Sequence, residues 1–193
     1  KFKLVQLSTG EMLRAEVKSR SGLGKRADKL MDLGELVPDD IIVDMISNQI
    51  DQHRVAKGFI LDGFPRTTAQ ASSLDVMLSD KSLKMDHVIQ LEVNEDSIVK
   101  RLSGRFSCSE CGAGYHDTYR KPVHNGKCDK CGSIHFSRRS DDNPKTVRSR
   151  LEAYRKKTAP ILPFYRDKGV LQSIDGMLEM DEVFDQIKEI ITG

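Results

Sequence analysis

The chain has 193 residues, 31 % of them charged with both signs interspersed, which is enough chain to bury one proper core and to carry small inserts. A formal net charge of +2 gives nucleic acid no footing as the main partner, and no apolar run approaches the ~18 residues that cross a membrane. The start, Lys1-Phe-Lys-Leu-Val-Gln-Leu7, lacks the long apolar region of a signal peptide, so a cytoplasmic location is expected.

Leu4 to Leu7 reads either as the close of a short strand or as a lead straight into a helix. Ser8 is a candidate N-cap, Glu11 stands three residues on, and Leu7 with Met12 can form a hydrophobic staple. That helix runs through Arg14 and Val17 to a break at Ser19–Gly24. Thr9 and Arg14 lie at its N-terminus, where backbone N–H groups favour anions; the plainer alternative is a second cap residue and a solvated charge. A second short helix is expected over Lys25–Leu33, ended by Gly34 at a left-handed cap position. Glu35-Leu36-Val37 is a connector. Pro38-Asp39-Asp40 then starts a helix with Ile42, Met45, Ile46 and Ile50 mostly three or four apart.

The stretch Gly58 to Gln70 concentrates chemistry. Phe59-Ile60-Leu61 is a short apolar run that reads as a buried strand of a parallel sheet. It breaks at Asp62-Gly63, where glycine permits a tight turn or a close approach to a ligand. Phe64 is held extended by Pro65, and Arg66 follows, a planar cation suited to a bidentate grip on phosphate or carboxylate. Open parallel sheets bind ligands beyond the carboxyl ends of their strands, and this loop lies at such an end. A surface turn with an incidental ion pair is the bland alternative.

A helix reaching Leu78 follows, with Gln70 in its first turn, and then a second apolar strand, His87 to Val93. Asn94 caps a further helix whose Arg101 and Arg105, spaced i, i+4, are expected to share one face, if only as an exposed cationic stripe. From Phe106 to Ser137 the composition shifts to glycine, cysteine and histidine with almost no helical or strand periodicity. Asn143-Pro144 restarts a helix carrying Val147, Leu151, Tyr154 and Ala159, perturbed by Pro160 and Pro163 and ended at Gly169. Val170 to Ile174 reads as a last buried strand. The closing helix is expected to bury Val183, Phe184, Ile187, Ile190 and Ile191. Strand and helix alternating in this order imply a three-layer α/β core with a parallel sheet, decorated by a helical arm and a cysteine unit.

All four cysteines fall in that unit, as Cys108-x-x-Cys111 and Cys128-x-x-Cys131 with sixteen residues between the pairs. Gly112 and Gly132 ease the turn after each second thiolate. Four thiolates complete a tetrahedral Zn²⁺ shell and leave no open position, which makes a structural site; two disulfides or an iron–sulfur centre are the alternatives. His116, His124 and His135 are then spare. A zinc ribbon can also serve nucleic acid, although Asp117 and Asp129 stand among its basic residues.

Asp62-Gly-Phe-Pro-Arg-Thr67 resembles the signature of the adenylate kinases. Leu7-Ser-Thr-Gly-Glu-Met-Leu-Arg14, Gly104-Arg105, the four cysteines and Arg138-Arg-Ser-Asp-Asp-Asn143 match the same family in the same order. The resemblance covers the whole chain and is to the bacterial form with a zinc-binding lid. It implies a P-loop kinase-like core over 1–7, 38–104 and 143–193, a nucleoside-monophosphate-binding insert over 8–37 and a zinc-ribbon-like lid over 105–142. It implies reversible phosphoryl transfer from ATP to AMP, giving two ADP, by a monomer that binds nucleotides and no membrane. Another nucleoside-monophosphate kinase is the alternative, with Gln70 and Thr9 favouring AMP.

Residue by residue, the resemblance assigns Thr9, Arg14, Leu36, Val37, Gly63, Arg66 and Gln70 to AMP. Arg66 and Arg14 would grip its phosphate and Gln70 would read the adenine edge. Arg101 would lie against the adenine of ATP and Gly176 near it, while Arg105, Arg139 and Arg150 would hold the transferring phosphates. Asp62 would orient water on Mg²⁺, and Asp141 with Asp142 would help shut the lid. Such a transfer needs positioning and charge neutralisation more than covalent chemistry.

The family's Gly-rich phosphate loop with its lysine is not among these 193 residues. Gly22-Leu-Gly-Lys25 lacks the first glycine of such a loop and has Arg26 where Ser or Thr should follow. Aligning Ser8-Thr9-Gly10 with the family leaves roughly twenty residues unaccounted for, the size of a strand, the loop and a helical turn or two. The expectation is therefore a made protein longer than this sequence, the alternative being a chain that binds AMP without transferring phosphate.

Overall fold

The computed structural model describes residues 2–193. Strand β1 (Val5–Ser8) runs directly into α1 (Thr9–Ser19), followed by α2 (Gly22–Leu33), α3 (Asp39–Gln52), β2 (Phe59–Asp62) and α4 (Thr68–Asp80). Then come β3 (Val88–Glu92), α5 (Glu95–Ser103), β4 (Arg105–Cys108), β5 (Gly114–His116) and β6 (Phe136–Ser137). Helix α6 (Pro144–Ala153) passes through a π-helical turn, Tyr154–Thr158, towards α7 (Ile161–Asp167); β7 (Leu171–Asp175) and α8 (Met180–Thr192) close the chain.

Both pairings of the core are parallel, as the apolar runs predict. Strand β1 pairs with β2, setting Leu7 opposite Leu61 and Ser8 opposite Asp62, and β3 pairs with β7, setting Leu91 opposite Ile174. Strands β2 and β3 are not hydrogen-bonded to each other, so each pair keeps unpaired edges. Residues expected inside are accordingly half exposed: Ile60 at 45 % and Leu91 at 50 %. Helix α8 differs from expectation in the same way. Its apolar stripe rests against the core without being covered, and Phe184 is 50 % exposed.

The main apolar cluster joins Leu7, Leu13 of α1, Ala27 of α2, Ile42, Ile46 and Ile50 of α3, Phe64, and Leu74 of α4. The i, i+4 spacing of the three isoleucines puts them on one face of α3, which is why that helix sits against α4. A second cluster, Ala71, Ile161 and Tyr165, packs α4 against α7.

Helix ends follow the residues at them, with two departures. Asn94 and Asn143 cap α5 and α6 by accepting from the Ser97 and Thr146 backbone N–H groups, and Gly34 closes α2 at φ +75°. Ser8, by contrast, makes no side-chain cap bond. Helix α2 starts at Gly22, three residues before Lys25, because the Ser21 hydroxyl accepts from the Gly24 N–H at 2.8 Å and caps it.

The i, i+4 pairing of Arg101 and Arg105 is overturned. Helix α5 ends at Ser103, Gly104 turns the chain, and Arg105 opens β4. A Cβ on Gly104 would lie 2.4 Å from His116 Nε2, so only glycine lets the lid fold back this closely. The lid itself is a three-stranded antiparallel sheet in the order β5-β4-β6. Its strands have two to four residues, too short for alternation to be visible in the sequence.

Helices α2 and α6 meet along a seam of three hydroxyls. Ser140 Oγ donates to Asp32 Oδ1 at 2.8 Å, Thr146 Oγ1 to the Asp32 carbonyl at 3.0 Å, and Ser149 Oγ to the Leu33 carbonyl at 2.9 Å. Among the described residues no helix is long and apolar enough to cross a membrane.

The arm itself depends on one close approach. A Cβ on Gly24 would lie 2.0 Å from the Glu16 carbonyl oxygen, a backbone atom that cannot swing aside. Gly24→Ala is expected to push α2 off α1 and to lower stability by about 3 kcal/mol, the upper range for overpacking, in a denaturant titration.

Candidate active site

Beyond the carboxyl ends of β1 and β2 lies a cavity of about 290 Å³. Thr9, Arg14, Leu36, Val37, Asp62, Gly63, Arg66, Gln70, Arg105, Arg139 and Arg150 all line it, so residues spread over most of the sequence converge on one space. Ser8, Gly10 and Glu35 line it too; nothing in the sequence set these apart from ordinary neighbours of the named residues.

Gly63 is the centre of the packing. It adopts φ +73°, and its carbonyl accepts from Thr9 Oγ1 at 3.0 Å and from Arg66 Nε at 2.8 Å. A Cβ there would stand 2.8 Å from Arg66 Nη2 and 3.1 Å from Thr9 Oγ1. The Phe64–Pro65 peptide is cis. With Arg66 Nε spent on the backbone, its two terminal nitrogens remain as the pair that a phosphate would suit.

Gln70, in the first turn of α4, is 2 % exposed and paired at both ends of its amide. Oε1 accepts from the Arg66 backbone N–H at 2.7 Å, and Nε2 donates to Asp39 Oδ1 at 2.7 Å. Thr67, the N-cap of α4, donates its hydroxyl to Asp39 Oδ2 at 2.8 Å. Asp39 stood out in the sequence only as a helix-starting residue.

Five guanidiniums now face each other. Arg105 forks onto Asp142, with Nε–Oδ2 at 2.9 Å and Nη2–Oδ1 at 2.8 Å. Arg150 pairs with Asp141 and reaches Asp142 Oδ1 at 3.9 Å. Both carboxylates are buried, at 3 % and 6 % exposure. Among the described residues Arg14, Arg66 and Arg139 form no ion pair. Burial lowers the pKa of all three, helped by Arg139 and Arg105 at Arg14 and by Arg105 at Arg139. Arg150 is brought down to about 10, first by burial and then by Arg66, Arg105, Arg14 and Arg139. Even at about 10, Arg150 carries its charge at neutral pH. The fold therefore concentrates positive charge that a polyanion would neutralise.

Arg101 and Gly176 are brought together outside this cavity, Arg101 Nη1 donating to the Gly176 carbonyl at 3.2 Å. Gly176 donates its own N–H to the Glu92 carbonyl at 2.8 Å, and a Cβ on it would meet Val93 Cγ1 at 2.7 Å. Asp62 keeps its carboxylate exposed, with Oδ2 accepting from Gln6 Nε2 at 3.2 Å.

The cysteine unit assembles as its spacing implies. The four sulfurs lie within 4.8 Å of one another, with Cys108–Cys131 and Cys111–Cys128 contacts of 3.5 Å. A disulfide needs ~2.05 Å, whereas thiolates at ~2.3 Å around one tetrahedral ion stand ~3.8 Å apart. The cysteines are free and can hold a metal ion. Gly112 and Gly132, at φ +71° and +75°, turn back so that their N–H groups donate to the Cys108 and Cys128 carbonyls. Tyr115 donates its hydroxyl to Cys128 Sγ at 3.4 Å while accepting from the Asp129 N–H; its ring stacks on Phe106 and meets Phe136 edge to face, forming a small apolar base.

Arg150 binds its proton less tightly folded than unfolded. The folded chain thus carries a penalty, first from burial of the Arg150 charge and then from its arginine neighbours, at every pH below about 10, relieved only as the pH rises past it. Among the described residues Arg139, like Arg66, is exposed and forms no ion pair. Arg139→Gln is expected to stabilise the ligand-free protein slightly, by less than about 1 kcal/mol because solvent screens an exposed charge, read as a small rise in melting temperature. The same variant should show a smaller melting-temperature gain than wild type when a polyphosphate ligand is added.

Comparison with known proteins gives the family. The family model described as adenylate kinase matches residues 1–170. The chain is 50 % identical over 188 residues to the adenylate kinase of Novosphingobium aromaticivorans, covering 97 % of this chain and 87 % of that protein. It is 48 % identical over 193 residues to that of Allorhizobium ampelinum, covering 100 % and 89 %, and 50 % identical over 191 residues to that of Paramagnetospirillum magneticum, covering 99 % and 88 %. With a family match over most of its length, relatives at half identity throughout, and an arginine-lined cavity beyond its strand ends, this chain belongs to the adenylate kinase family.

Proposed function

We propose that the arginine-lined cavity is the place where AMP meets the transferring phosphates, in the reversible ATP-to-AMP phosphoryl transfer of this nucleoside-monophosphate kinase family. The observation that carries it is the convergence of five guanidiniums on one cavity that also contains Thr9, Gly63 and Gln70. In this reading Arg14 and Arg66 hold the AMP phosphate, Thr9, Leu36, Val37, Gly63 and Gln70 seat the nucleoside, and Arg105, Arg139 and Arg150 neutralise the group in flight. The chemistry asks for little else: a phosphoryl group passing between two anions needs alignment and dispersed positive charge. Arg101 and Gly176, joined to each other, form the edge against which the ATP base rests. Asp62 suits a water-mediated hold on Mg²⁺, which supplies further charge neutralisation on ATP when bound.

The same reading divides the chain into a core of 1–7, 38–104 and 143–193, a nucleotide-binding arm of 8–37 and a lid of 105–142. The lid's four sulfurs fit Zn²⁺, whose closed Cys₄ shell stiffens a unit too small to stand on its own apolar core. Asp141 and Asp142, which now neutralise Arg150 and Arg105, steady those arginines between turnovers and so help the lid to close and reopen. A monomer in the cytoplasm suits a kinase acting on freely diffusing nucleotides.

Two measurements test the reading. Arg66→Lys replaces a planar fork by a point charge and is expected to reduce kcat/KM for AMP by an amount worth about 2–4 kcal/mol, as for loss of one oriented charge-stabilising donor. AMP kinetics equal to wild type would remove Arg66 from the AMP site. Metal analysis should return about one Zn²⁺ per chain. Cys128→Ser should lower the melting temperature while leaving transfer intact at moderate temperature, and a metal-free protein of unchanged stability would rule out structural zinc.

A further inference from the structure

The Gln70 amide has a defined polarity. An amide is normally free to turn over, because its oxygen and nitrogen ends have the same shape. Here it is not. The Arg66 backbone N–H can only donate and lies 2.7 Å from Oε1, while the Asp39 carboxylate can only accept and lies 2.7 Å from Nε2. Turning the amide over would set N–H against N–H at one end and oxygen against carboxylate at the other.

Asp39 is itself held. Thr67 Oγ1 accepts from the Gln70 N–H at 3.1 Å, so its single proton is free to go to Asp39 Oδ2, 2.8 Å away. The first residue of α3 is thereby tied to the N-cap of α4, and the carboxylate that fixes Gln70 has no slack. Each end of the amide spends one hydrogen-bonding position on this network and keeps one: a second N–H on Nε2 and a second lone pair on Oε1. Gln70 lines the cavity, so what it offers there is one donor and one acceptor in a fixed order.

We propose that Asp39 is a positioning residue for base selectivity: it fixes the polarity of the Gln70 amide so that the site accepts a purine edge of one donor–acceptor order and rejects the reverse. The inference rests on the reading above that Gln70 reads the base. Adenine shows an amino donor beside a ring-nitrogen acceptor. Hypoxanthine, the same size, shows a carbonyl acceptor beside an N–H donor. An amide able to turn over would serve both; a locked one serves one.

AMP and IMP are therefore the probes, compared as alternative acceptors by kcat/KM. Asp39→Ala is expected to lower the AMP-over-IMP ratio about tenfold, the worth of one net hydrogen bond, chiefly through KM for AMP with kcat little changed. Asp39→Asn keeps an acceptor for Gln70 Nε2 and removes the charge, so it should restore most of the ratio. It also serves where the alanine variant folds poorly. Gln70→Ala should lower the ratio by itself, and adding Asp39→Ala to it should lower it no further. If Gln70→Ala lowers the ratio and Asp39→Ala does not, the positioning role is overturned while base reading stands. If Gln70→Ala leaves the ratio unchanged, base reading fails and the proposal with it. A loss that Asp39→Asn does not restore would make the effect one of charge and would overturn the hydrogen-bond lock.

Discussion

Five like charges facing one cavity set the terms for everything around them. Arg14 comes from α1, Arg66 from the loop after β2, Arg105 from the first lid strand, Arg139 from the lid's return and Arg150 from α6. No single element could carry them all, because neighbouring guanidiniums on one helix would simply splay into solvent. Gathering them from five places lets backbone geometry hold what Coulomb repulsion would push apart. Two buried carboxylates offset part of the charge, and both come from consecutive positions, Asp141 and Asp142, just where the lid rejoins the core. The junction between the cysteine unit and the core thus also holds two of the arginines.

Several of the closest approaches in the chain depend on glycine. Gly63 brings Thr9 and Arg66 within bonding distance of one carbonyl. Gly104 lets the lid fold onto α5, and Gly24 lets α2 lie on α1. At each of these positions a methyl group would meet backbone or a functional side chain, so shape at the site is set by what is absent. The apolar clusters, with residues such as Ile46 and Leu74 wholly buried, supply the rigid backing.

How far the sequence could be read depended on whether the signal was local. Helix caps at Asn94, Asn143 and Gly34, the parallel strands, the cysteine knuckles and the turn at Gly63 are short-range chemistry, and each appears where its residues stand. Failures came where meaning depended on distant partners. Arg101 and Arg105 look like one helical face until Gly104 sends the chain into the lid. The lid strands are too short to show alternation, and their pairing is set by chain segments that meet only after folding. Ile60, Leu91 and Phe184 read as interior by type, but whether an apolar residue is covered depends on what packs over it. Asp39 was invisible as a functional candidate because its partners, Thr67 and Gln70, lie 28 and 31 residues away. The candidate site was legible as a list of residues through family resemblance; its hydrogen-bond polarity was not.

The seam between α2 and α6 has a different character from the cavity beside it. Its three bonds run from the hydroxyls of Ser140, Thr146 and Ser149 to Asp32 and to the Leu33 carbonyl, and no cation takes part. Hydrogen bonds from neutral donors are little weakened by added electrolyte, whereas contacts between exposed charges fade over a Debye length of about 8 Å at physiological ionic strength. The two halves of the molecule are therefore coupled in ways that respond differently to the medium. Added salt would weaken the pull of the exposed Arg66 and Arg139 on an anion while leaving the hydroxyl seam little changed.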